Sequence, residues 1–79
     1  MRKIEQQMLE AIKAKKTWSH NNTAVIYDKV CNKSYVFLHE NQLGWYNHAK
    51  CDFVMWSPTY EKWPTRTTKS RLRALGVRI

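Results

Sequence analysis

Apolar residues recur at Ile4, Met8, Ala11 and Ile12, the i, i+4, i+7, i+8 spacing of a single helix face, with Met1 and Leu9 on its flanks. Arg2, Lys3, Gln6, Glu10 and Lys13 fall opposite. The pattern predicts an amphipathic helix over about residues 2–15, with Lys15 and Lys16 placed where the last carbonyls attract cations. Trp18-Ser19-His20-Asn21-Asn22 then reads as a polar link with turn chemistry, after which the composition changes.

β-Branched and aromatic residues bounded by turn formers predict four strands: Thr23 to Asp28, Ser34 to His39, Gln42 to Tyr46 and Asp52 to Trp56. Their connections, Cys31-Asn32-Lys33, Glu40-Asn41 and Asn47-His48-Ala49-Lys50, are short, so consecutive strands should pair antiparallel as a meander. Several strands are apolar on both faces: Val36 and Leu38 alternate with Tyr35 and Phe37, and Val54 and Trp56 with Phe53 and Met55. Two short helices can cover only one face. The other is left partly aromatic and open, and a homodimer through that open face is an expectation.

Pro58 and Pro64 bias their predecessors away from helix, so Ser57-Pro58-Thr59-Tyr60 and Trp63-Pro64-Thr65 are expected to be irregular. A short helix follows within Thr65 to Gly76. At about 100° per residue Thr68, Leu72 and Leu75 share one stripe and Arg66, Lys69 and Arg73 another. Thr67 or Thr68 is the expected N-cap and Gly76 the stop. The fold class predicted is α+β, a single small domain over residues 1–79: an N-terminal helix, a four-stranded antiparallel β-meander and a short C-terminal helix, with the helices on one face of the sheet.

Fourteen Lys and Arg against six Asp and Glu leave a net charge of +8, at the upper edge of the usual range for a small domain. Residues 1–16 hold five basic and two acidic side chains, 17–60 three of each, and 61–79 six basic and one acidic. The ends therefore carry the whole excess, which favours an anionic partner. Two cysteines, Cys31 and Cys51, are too few for a disulfide scaffold, and no apolar leader follows Met1, so a reducing cytoplasm is expected. No run approaches the roughly 20 apolar residues of a membrane span, and no membrane role is expected.

The six carboxylates are scattered singly, two glycines cannot build a phosphate loop, and no nucleophile lies beside a base in a recognisable motif. No catalytic residue, enzyme activity or cofactor is assigned. Cys31, His48 and Cys51 lie in or beside turns at one end of the meander, but the His48–Cys51 spacing lacks the partner pair of a zinc site, and no metal is assigned.

Met1-Arg2-Lys3-Ile4-Glu5-Gln6-Gln7-Met8, Asn22-Thr23, Val36-Phe37-Leu38-His39 and Thr67-Thr68-Lys69-Ser70-Arg71-Leu72-Arg73-Ala74-Leu75 together resemble a family of small proteins encoded by tailed bacteriophages. Family members often have glycine where this chain has Glu40, and a shorter strand region than Leu43 to Tyr60. The resemblance implies a phage product acting in the host cytoplasm and carries over no catalytic residue.

The charge favours nucleic acid as the partner. Arg66, Lys69, Arg71 and Arg73 are the candidate phosphate contacts, joined by Lys13, Lys15 and Lys16 if both helices end on one side. Trp18, Trp45, Trp56, Trp63, Tyr35, Tyr46 and Tyr60 offer planes for unpaired bases wherever an open face presents them. An acidic host protein, inhibited or modulated through the same basic surface with Trp63 and Tyr60, is the alternative.

Overall fold

The structure, a computed structural model, describes residues 2–79. Helix α1 (Lys3–Lys13) is followed by strands β1 (Trp18–His20), β2 (Thr23–Asp28), β3 (Lys33–Leu38), β4 (Asn41–Asn47) and β5 (Asp52–Met55), then α2 (Ser57–Lys62) and α3 (Arg66–Ala74). The strands form one antiparallel sheet in the order β1-β2-β3-β4-β5. This is the α+β meander expected, with one strand and one helix more.

The extra strand is the segment read as a polar link. Trp18, Ser19 and His20 pair with Val25, Ala24 and Thr23 across an Asn21-Asn22 turn, and Asn21 takes φ 51°, a left-handed conformation that asparagine tolerates better than most residues. The extra helix is Ser57–Lys62, expected to be irregular. Pro58 sits in its first turn, where a missing N–H costs nothing, so the proline starts a helix here. Pro64 acts as expected: Trp63 leaves the helical region and α2 ends before it.

Alternation in the strands sorts side chains between two faces. Val25, Val36, Leu38 and Leu43 join Met8, Ala11 and Ile12 of α1 and Leu72 of α3 in one core, against which Trp18, Tyr46, Phe53 and Tyr60 also pack. Both α1 and α3 therefore lie on the same face of the sheet. Leu75 and Val77 close the core beyond α3, and Gly76, at φ 98°, ends that helix as the sequence predicts, with Val77 N–H donating to the Leu72 carbonyl. The N-cap of α3 lies earlier than expected, at Thr65, whose Oγ1 accepts from Thr68 N–H at 3.2 Å, because Thr65 is the first residue past the Pro64 constraint.

Two backbone positions generate opposite predictions. Glu40, in the β3–β4 turn, holds φ 67°, where a Cβ is strained. Glu40→Gly should raise the unfolding free energy by about 0.5 kcal/mol, the relief of that strain less the added chain entropy. Gly44 lies beside the irregularity in the β3–β4 register, and a Cβ there would stand 2.0 Å from the Val54 carbonyl oxygen. Gly44→Ala should lower stability by about 3 kcal/mol, both effects being read from urea unfolding midpoints.

Candidate nucleic-acid interface

Helix α3 is amphipathic in charge as well as in hydropathy. Thr68 and Leu72 are buried against the sheet, while Arg66 and Arg73 are exposed and Lys69 partly covered. No carboxylate side chain occurs from Lys62 to Ile79, so nothing within this segment neutralises the outward stripe. Arg73 is steadied by donating from Nε to the Ile79 backbone oxygen at 2.9 Å.

Arg71, expected among the phosphate contacts, is not on this surface. It lies one residue before Leu72 and three after Thr68, which turns it inward, and it is 3% exposed. Its Nη1 donates to Glu5 Oε2 at 2.8 Å and its Nε to Thr23 Oγ1 at 3.1 Å. Ser70 Oγ donates to the same Glu5 oxygen, and Arg2 N–H donates to Glu5 Oε1. Thr23 passes its own hydroxyl proton to Asn22 Oδ1 at 3.0 Å. Among the described residues, no buried side-chain nitrogen or oxygen is left without a partner. Burial alone would push the Glu5 carboxyl up, but the bonds from Ser70, Arg71 and Arg2 and the Arg71 charge outweigh it and hold the group below its ordinary 4.5.

Lys13, Lys15 and Lys16 are exposed, but they belong to the opposite end of the molecule and do not extend the α3 stripe. The Glu5–Arg71–Thr23 contacts put the start of α1 at the strand end occupied by the β1–β2 turn. From Glu5 to Lys13 the helix runs about 12 Å, and Lys15 comes near enough to His48, in the β4–β5 turn, to bear on its protonation. That turn adjoins the β2–β3 turn, since His48 N–H donates to the Asn32 carbonyl. Lys29, Lys33 and Lys50 flank these turns, but Asp28 and Asp52 stand among them, so this end carries mixed charge.

The aromatic candidates divide between locations. Trp63 is 45% exposed beside the start of α3, with Lys62 Nζ 5.6 Å from its ring centre, whereas Tyr60 packs on the core. Trp18 and Tyr46 also pack against the core, on the helical face. Tyr35, Trp45 and Trp56 alternate with core residues and lie on the uncovered face, around a shallow depression with Lys33 and Gln42. Burial first, and then the neighbouring Cys31, raise the Tyr35 phenol; burial and Cys51 do the same for Tyr46.

Cys31 and Cys51 are free and exposed, and among the described residues no three His, Cys, Asp or Glu side chains come together to hold a metal ion. His48 is instead a packing group. Ser34 Oγ lies 2.7 Å from its Nε2, and the rings of Tyr27 and Tyr46 meet it edge-on at 5.6 and 5.0 Å. Burial, with the Lys15 charge, holds its imidazole below the ordinary 6.5. Among the described residues no helix is long and apolar enough to cross a membrane.

Both shifted groups predict the same direction on acidification. The unfolded chain protonates His48 before the folded one does, so stability should begin to fall below about pH 6.5. The Glu5 contribution is present above its unfolded value near 4.5 and is lost as the pH drops through its lower folded value. Urea unfolding across pH 7 to 3 should show two declines; His48→Gln removes the first, while Glu5→Gln lowers stability throughout and shrinks the second, leaving the part due to Asp28, whose carboxyl the Cys31 and Val30 N–H groups also hold below its ordinary value.

No curated protein and no solved structure matches the chain. The family model described as Kyanoviridae Gp96 protein matches residues 1–78. The resemblance to small tailed-phage products thus becomes specific, and the chain belongs to the Kyanoviridae Gp96 protein family, a family of tailed-cyanophage proteins.

Proposed function

We propose that this cyanophage protein acts inside the infected cell as a binding protein that associates with nucleic acid through the outward stripe of α3. The observation that carries the reading is the sorting of the cations on that helix. Arg71, turned inward, is neutralised by Glu5, whereas Arg66, Lys69 and Arg73 meet no carboxylate in any ion pair among the described residues. Such a stripe neutralises phosphates and releases their counterions. Arg2 and Lys3, at the start of α1, stand on the same end of the molecule as the Arg71 contact and add to the field there.

The side chains available set the mode of recognition. The outward positions of this nine-residue helix carry Arg and Lys, which suit phosphate oxygens, and the stripe spans too few residues to read a run of base edges. Binding is therefore expected to be strongly salt-dependent and tolerant of sequence. Trp63, exposed beside the cations, also supports a second reading, a hot spot for an acidic host protein that the phage product would inhibit or modulate.

Fluorescence anisotropy with labelled DNA and RNA of mixed sequence should give log Kobs falling against log salt with a slope of about −3, as expected for three to four phosphate contacts. Replacing Arg66, Lys69 and Arg73 together by Gln should abolish binding and leave the circular dichroism unchanged, because the replaced charges lie on the solvent side of α3. Wild-type binding by the folded triple variant would refute the assignment. Failure to bind either nucleic acid, with capture of a host protein from nuclease-treated lysate that the triple variant loses, would favour the second reading.

A further inference from the structure

The face of the sheet opposite the helices has a different character. Alternation points Ser19, Ala24, Ile26, Tyr35, Phe37, Gln42, Trp45 and Val54 away from the core, and Trp56 continues the face beyond β5. The register sets Ile26, Tyr35, Trp45 and Val54 in one row across four strands. Ile26, Val54 and Trp56 are 47, 38 and 46% exposed. Charge here is slightly acidic: one cation, Lys33, reaches over the Trp45 ring at 5.5 Å and shares its cross-strand row with two carboxylates, Asp28 and Asp52. A surface evolved for phosphates would hold an excess of cations, and this one holds none.

Its relief is self-complementary. On the β4–β5 side Trp45 and the exposed Trp56, their ring centres 6.4 Å apart and tilted by 45°, form a ridge along one edge of the shallow depression they share with Lys33, Tyr35 and Gln42. On the β1–β2 side an open hollow lies among Ser19, Ala24, Ile26 and Phe37, floored by small side chains and bounded by His39 and Glu40. Strand β3 runs between them. Hollow and Trp56 lie at the same end of the strands, since the β1–β2 and β3–β4 turns border the hollow and Trp56 N–H donates to the Leu43 carbonyl near the start of β4. A two-fold axis parallel to β3, lying between two facing sheets, exchanges the β1 side for the β5 side and keeps the strand ends in place. It sets the ridge of each copy over the hollow of the other.

We propose that the protein is an isologous homodimer whose uncovered sheet faces pack together, Trp56 of each copy seated in the Ser19–Ala24–Phe37 hollow of its mate. Strands about 4.8 Å apart, with about six residues rising 3.3 Å each, give a face about 20 Å square. Two such faces present about 800 Å² in projection, which their corrugation raises towards the lower bound of about 1,200 Å² of the standard interface class, where associations are weak. Aligned sheet packing interdigitates the aromatic rows and leaves both helical layers outside. The dimer does not depend on the nucleic-acid reading.

Sedimentation equilibrium at about 0.15 M salt tests it, because charge repulsion between distant basic ends is then largely screened. The wild-type mass should rise from 9.5 kDa towards twice that value as the concentration passes through the micromolar range. Ala24→Glu and Trp56→Lys should each weaken association by about 30-fold or more, as expected for a central aromatic anchor, with circular dichroism unchanged. An equimolar mixture of the two variants should recover the dimer, because one of the two ridge-and-hollow contacts then pairs the introduced opposite charges and the other is native. A wild-type protein that stays at 9.5 kDa up to millimolar concentration overturns the proposal. So does a dimer insensitive to either substitution, or a mixture that fails to associate.

Discussion

A carboxylate and a guanidinium that neither water nor the surface can reach decide how the two layers of this protein fit. Glu5 lies on the same stripe of α1 as Met8 and Ile12, and Arg71 on the inner flank of α3, sixty-six positions later. Either charge buried alone would be costly, since losing one partner of such a pair typically costs about 3–5 kcal/mol. The attraction itself is largely offset by desolvation, so its effect is better described as selection of one arrangement. Only when α1, α3 and the start of β2 stand in register do Ser70, Thr23 and Asn22 complete the set of donors and acceptors.

That arrangement also separates the chemistry of the molecule. Anchoring Arg71 inward rotates Arg66 and Arg73 to solvent, while the same packing leaves the far side of the sheet with no helix to cover it. Charge accumulates on the helical side and at the two strand ends, and apolar area on the other side. In so small a domain the two properties can coexist because the sheet is one residue thick and each strand alternates between them. The cationic surface and the apolar surface then do not compete.

How much of this was readable in advance depended on the length and regularity of each signal. The α1 stripe, the alternation of β2 to β5 and the Leu72 stripe of α3 are repeated over enough residues to be unambiguous. β1 is three residues with one apolar member, and its hairpin turn uses Asn21-Asn22 in place of the more familiar asparagine-glycine pair. α2 was hidden by Pro58, whose effect depends on whether it falls in the first turn or later. The ion pair did leave a trace: Glu5 and Arg71 are opposite charges, each on a stripe of otherwise apolar or neutral residues, and such residues are seldom buried unpaired. Which end of the sheet receives Lys13, Lys15 and Lys16 follows only from tertiary topology, and no local pattern encodes it.

The two cysteines acquire a use from where their turns project. Cys31 neighbours Tyr35 on the bare side of the sheet and Cys51 neighbours Tyr46 on the helical side, so the only thiols in the chain sample its two surfaces separately. Alkylation kinetics at each sulfur would thus act as a built-in footprint, one reporter per side, with no engineered label required.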